Sequence, residues 1–147
     1  MLRMRSLTLL LLLAATAVAQ VPERIYVPSN RPDLPFSNAV VVDDTIYLAG
    51  HGGLDPKTGK PPVKVEDEAR AVLDAIKATL AKSDATMDDL VSVTIYCPDL
   101  TTYDAFNAVY RTYFKNGKFP ARAFIGSGKL LFGMRFEVQG IAIRRHH

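Results

Sequence analysis

Apolar positions along this chain switch between a period of two and a period near 3.6, and the switches mark its elements. "NAVVVDDTIYLAGH", residues 38–51, reads as two strands around Asp43–Asp44, a hairpin signal. In the second strand, Ile46 and Leu48 alternate with Thr45, Tyr47 and Ala49. "GGLDPKTGKPP" is dense in turn formers and must be a loop. From Val65 to Ser83 the period lengthens: Ala69, Val72, Leu73, Ile76 and Leu80 recur at helical spacing. Glu66, Asp67, Glu68, Arg70, Asp74 and Lys77 fall mostly on the other faces, and the acidic start suits the positive end of the helix dipole. "ATMDDL" is a short connection of about one helical turn. "LVSVTIY" sets Val91, Val93 and Ile95 against Ser92, Thr94 and Tyr96, a half-buried strand.

"TTYDAFNAVYRTYF" predicts a second helix, capped by Thr101 or Thr102, with Tyr103, Phe106, Tyr110, Tyr113 and Phe114 near one face. Such an aromatic stripe is far more often helix-to-sheet core than a ligand box. "FPARAFIG" is the next strand, and "MRFEVQGIAIRR" after the loop "SGKLLFG" is the last. In that last strand Phe136 and Val138 face one side; Arg135, Glu137 and Gln139 face the other. The order β-β-α-β-α-β-β implies crossover connections. The simplest layering is α+β, one mixed sheet with both helices on one face. The strands carry apolar residues on both faces, so a partner subunit is the natural cover for the other face. A homo-oligomer of cyclic symmetry follows.

The first residues stand apart from this pattern. "MLRMR", a short apolar run and the small residues Ala17 and Ala19 make a signal-peptide pattern over 1–19, with the mature chain starting at Gln20 and exported to the periplasm or the medium. After cleavage the protein has no membrane segment. Residues 20–35, "QVPERIYVPSNRPDLP", read as an extended proline-rich arm, and the domain as 36–145. Losing Arg3 and Arg5 leaves 16 basic against 15 acidic side chains, which argues against a nucleic-acid partner. Cys97 is the sole cysteine and cannot form an intramolecular disulfide; it reads as a semi-buried small hydrophobe. Only His51 lies away from the "RRHH" tail, so no Cys/His metal set assembles, and no metal is expected. "GSGK" is not a phosphate loop: Ala123 stands where the first glycine belongs and Leu130 where Ser or Thr belongs.

The informative residues are the polar ones inside apolar strands. Arg122 follows Pro120, and Glu137 lies in the final strand. On neighbouring strands they make a structural ion pair. Alternatively, Arg122 offers a planar fork to a substrate carboxylate, and Glu137 activates water as a general base. His51, in the Gly-rich strand end "GHGG", reads as a structural or rim residue.

With these residues in place, "PFSNAVVVDDTIYLAGHGGLDPKTG", "DDLVSVTIYCPDLTTYDAFNAVYRTYF", "FPARAF" and "FEVQGIAIRR" resemble the RidA/YjgF family of reactive-intermediate deaminases, over about Pro35 to Arg144. The resemblance implies a chorismate-mutase-like subunit and a homotrimer with helices outside and ligand clefts between subunits. It implies that Arg122 binds the carboxylate of a small imine or enamine acid and that Glu137 assists the hydrolytic water. Gly50 and Asn107 match cleft positions. The reaction it implies is hydrolysis of 2-imino acids such as 2-iminopropanoate to 2-oxo acids and ammonia, without metal or organic cofactor. Departures from the family pattern are Phe36 for a tyrosine beside the cleft, Ala123 and Phe124 for Ser and Cys, His51 for glutamine and Leu131 for proline. Phe36 would remove a hydroxyl donor from the substrate pocket, and Phe124 would narrow the pocket or make it more apolar. They favour the alternative, a non-enzymatic ligand-binding or chaperone-like trimer. RNA cleavage would need an acid-base histidine pair that the chain lacks.

Overall fold

A computed structural model describes residues 21–145. The expected signal peptide, 1–19, lies outside the described residues. The strands are β1 (Arg24–Pro28), β2 (Ser37–Val42), β3 (Thr45–Gly52), β4 (Leu90–Cys97), β5 (Ala121–Gly126) and β6 (Glu137–Ile143); the α-helices are α1 (Val65–Ala81) and α2 (Tyr103–Tyr110). They form one six-stranded mixed sheet in the order β1-β2-β3-β6-β4-β5. Only β4 and β5 pair in parallel. The α+β architecture expected from the sequence is the observed one. Among the described residues no helix is long and apolar enough to cross a membrane.

Part of the extended arm expected over 20–35 is a regular strand of the sheet, β1. Ile25 pairs with Val41 and Tyr26 with Val40, and Val27 is buried in the core. The prolines bound this strand instead of forbidding it. Pro28 sits at an edge, where a missing N–H costs no ladder bond, and the register shifts there. The Asp43–Asp44 hairpin forms as expected, with Asp43 at φ 51°. α1 lies close to its expected bounds. The second helical run is broken up: a 3-10 turn at Leu100–Thr102 precedes α2 and another at Arg111–Tyr113 follows it. Asp99 takes the capping role expected of Thr101 or Thr102, accepting from Thr101 N–H at 3.0 Å.

The last strand starts later than its alternation predicts, at Glu137 instead of Met134. The reason is Glu68, which does not sit on a solvated face of α1 as expected. It is fully buried, and its Oε1 accepts from the backbone N–H groups of Arg135 (2.6 Å) and Phe136 (3.2 Å). Arg135 Nε closes an ion pair on Oε2 at 2.6 Å, and the rest of its guanidinium donates to the carbonyls of Pro62 and Val63. Backbone donors claimed by a side chain are not free for a sheet ladder.

The core lies between the helices and one sheet face. Ile46, Val93, Ile95 and Val138 pack there with Val72, Leu73, Ile76, Leu80 and Phe106. The opposite sheet face is open in the single chain: Tyr26, Tyr47, Ile125 and Ile143 remain 42–59% exposed.

Candidate functional site

β5 is an edge strand, and its alternation decides where Arg122 points. Val93 of β4 pairs with Arg122, and Ile95 pairs with both Phe124 and Val138. In-register neighbours share a face, so Arg122 and Phe124 face the helices. Tyr103, Asn107 and Tyr110 stand four and three residues apart on α2, hence on one side of it. They receive Arg122. Its Nη1 donates to Asn107 Oδ1 at 2.8 Å, and its Nη2 donates to the Tyr103 hydroxyl at 3.4 Å. The guanidinium carbon lies 4.8 Å from the Tyr110 ring centre and 5.8 Å from those of Tyr103 and Phe124. These are cation–π distances. Arg122 has no carboxylate partner among the described residues.

Beside this guanidinium is a cavity of about 180 Å³, lined by Asn107, Tyr110, Arg111, Phe119, Pro120 and Arg122. The Tyr110 hydroxyl is buried without a hydrogen-bond partner. Burial pushes its pKa up to about 12, against the opposing pull of the Arg122 charge. Tyr110 therefore stays neutral at any physiological pH and serves as an uncharged aromatic platform. Phe124 packs edge-on against Tyr103 (4.9 Å) and Phe106 (5.5 Å), supporting the wall of the site without lining the cavity.

Glu137 lies elsewhere. It pairs with Tyr96 across β6–β4 and with Gly52 across β3–β6, and it alternates with the buried Phe136 and Val138. It therefore points from the open face. Its carboxylate rests over Gly50, where no side chain fits: a Cβ there would collide with Glu137 Oε1. Phe36, about half exposed, immediately precedes β2 at the same end of the sheet. The expected site residues thus fall into two sets: Arg122, Asn107 and Phe124 on the helix face, Glu137, Gly50 and Phe36 away from it. Arg122 and Glu137 are not on neighbouring strands, since β4 intervenes, and they point to opposite faces. This overturns the ion-pair reading.

His51 is structural, as read. It is buried, and Nδ1 lies 2.8 Å from the Ala49 carbonyl and Nε2 2.8 Å from Thr79 Oγ1 on α1. A carbonyl only accepts, so Nδ1 carries the proton and Nε2 accepts from the threonine. Desolvation lowers its pKa below the ordinary 6.5. The unfolded chain then takes up a proton below about pH 6.5 that the folded chain refuses, so stability present above that pH is lost as the pH falls. The Tm is expected to drop between pH 7 and pH 5, with a shallower drop in His51→Gln. Equal slopes in the two proteins would exonerate the buried ring. Cys97 is buried too, its Sγ donating to the Asp99 carbonyl at 3.1 Å.

The tyrosine platform under Arg122 and the Glu68 clamp were missed by sequence reasoning. The spacing of Tyr103, Asn107 and Tyr110 was a usable signal, but it reads equally as core. Glu68 had one as well: it stands in line with Val72 and Ile76, four and eight residues on.

A family model described as endoribonuclease L-PSP matches residues 28–144. The chain belongs to the RidA/YjgF family. The 2-iminobutanoate/2-iminopropanoate deaminase of Mus musculus is 36% identical over 111 residues, covering 75% of this chain and 82% of the relative. The protein of the same name from Escherichia coli K12 is 32% identical over 113 residues, covering 76% and 88%. The crystal structure of the E. coli YjgF gene product superposes with a TM-score of 0.71 at 32% identity, over 76% of this chain and 89% of that one. The yeast YEO7 structure gives 0.73 at 30% identity, over 82% and 94%. Family membership agrees with the resemblance drawn from the motifs, and the RidA/YjgF fold accounts for the mixed sheet with two helices.

Proposed function

We propose that this RidA/YjgF protein is an exported imine/enamine deaminase that works as a homotrimer with a cleft between each pair of subunits. The observation that carries it is Arg122, held in place by neutral partners and left without a carboxylate at the mouth of a cavity. A fixed guanidinium with free donors is a receptor for a planar carboxylate. The relatives named as imine deaminases support the same reading.

The two-faced placement of Arg122 and Glu137 supports a composite cleft. β5 ends the sheet, so Arg122 can be approached around its edge. A second subunit laying its open face there would bring its own Glu137 to the carboxylate held by Arg122. The open face is apolar enough to need such cover. In that cleft the protonated imine carbon is already electrophilic. Glu137 takes a proton from water as the water oxygen bonds to C2, and returns it to the amino nitrogen of the carbinolamine; the C–N bond then breaks as Glu137 takes the hydroxyl proton, releasing ammonia and leaving the 2-oxo acid. Arg122 contributes orientation and charge balance. RNA cleavage finds less support, because His51 is locked between Ala49 and Thr79.

The test uses the mature chain from Gln20 with 2-iminopropanoate generated in place by an amino-acid oxidase. Imine loss and ammonia release are expected to accelerate in proportion to protein. If a well-assembled oligomer accelerates none of several imino acids, the protein is a binding protein and not a deaminase.

A further inference from the structure

Arg111 is the cation at this site that the deamination reading leaves unused. It follows α2 directly, four residues after Asn107, and so comes up on the side of the helix that holds Arg122. It lines the same cavity, is exposed, and forms no ion pair among the described residues. No acidic side chain lines that cavity. A monocarboxylate ligand would balance only one of the two guanidinium charges. The remaining walls, Phe119 and Pro120, are apolar and suit a short methylene chain. At about 180 Å³ the cavity falls below the range of roughly 300–1,000 Å³ typical of pockets for larger ligands.

We infer that the site prefers dicarboxylic imino acids, the imines of acidic amino acids, with Arg122 taking the carboxylate beside the imine and Arg111 taking the distal one; this rests on the deaminase reading of the same site. A second carboxylate bridges the two cations and is attracted from solution by both. Arg111 is open to water, which screens it, so the gain is about tenfold in affinity, below that of a buried pair. The competing role for Arg111, complementing the helix C-terminus through its charge, would act on α2 alone and leave ligand preference unmoved.

The test measures binding of the stable 2-oxo acid products, so it does not depend on turnover. Calorimetric titration of the assembled protein compares 2-oxoglutarate and oxaloacetate with 2-oxobutanoate. At least one dicarboxylate is expected to bind about tenfold tighter than 2-oxobutanoate. Arg111→Ala should erase this margin, Arg111→Lys should keep part of it, and Arg70→Ala on α1 should leave it intact. Equal or undetectable binding by the wild type, or a margin that survives Arg111→Ala, overturns the inference. The 2-iminopropanoate assay reports separately on deamination. A dicarboxylate margin with no turnover of either 2-iminopropanoate or the imine of glutamate would reject the deaminase and keep the role of Arg111; turnover without a margin would do the reverse.

Discussion

Arg122→Ala subunits and Glu137→Ala subunits, each nearly inactive alone, are expected to regain about a quarter of wild-type turnover when refolded together in equal amounts. Each substitution should lower kcat/KM by roughly a hundredfold by itself. For Arg122 that is the loss of a charge-assisted fork to the substrate carboxylate, a contribution of about 1.5–3 kcal/mol. The recovery on mixing follows from the sheet. Val93 and Ile95 of β4 place Arg122 on the face shared with Val138, which leaves Glu137 on the other face. Within one chain the two groups lie on opposite faces of the sheet; the proposed cleft brings them together from two chains. In randomly mixed rings of the proposed trimer, a cleft would take its arginine from one subunit and its glutamate from the next, and about one in four would hold both intact side chains. Size-exclusion chromatography with light scattering must show that both variants still assemble. Hetero-oligomers that recover nothing would sink the composite cleft.

Glu68→Ala is expected to destabilise the fold by about 3–5 kcal/mol, the range for removing one partner of a buried ion pair. For a domain of this size that is a fall in Tm of roughly 10–20 °C. The buried carboxylate serves Arg135 Nε and the N–H groups of Arg135 and Phe136 together. Its removal leaves all three short of a partner beneath Gly53, where a Cβ would stand 2.5 Å from the Glu68 carbonyl, a sign of how closely α1 approaches. Arg135→Ala in the Glu68→Ala background should cost far less than it does alone, because the two act as one unit. Thermal melts of the four proteins measure that coupling. A loss below about 1 kcal/mol for Glu68→Ala would mean that the segment before β6 is held by its packing and not by the carboxylate.

The elements of this protein were legible in its sequence wherever a single period governs burial. The β2–β3 hairpin, α1, β4 and the alternation of β6 were read from local pattern, because a residue's face within a strand or helix depends only on its own spacing. The motifs around Arg122 and Glu137 also carried the family, since chemically specific residues in order constrain each other along the chain. The tertiary structure decided what depends on partners distant in sequence. β1 became a strand because β2 offered it an edge, an opportunity that residues 20–35 do not encode. Glu68 left the solvated face because Arg135, far along the chain, supplied a charge that makes burial tolerable. Arg122 and Glu137 parted because β6 inserts between β3 and β4, putting β4 between the two groups. Strand order is set by the packing of the whole sheet against α1 and α2, and no local pattern reports it.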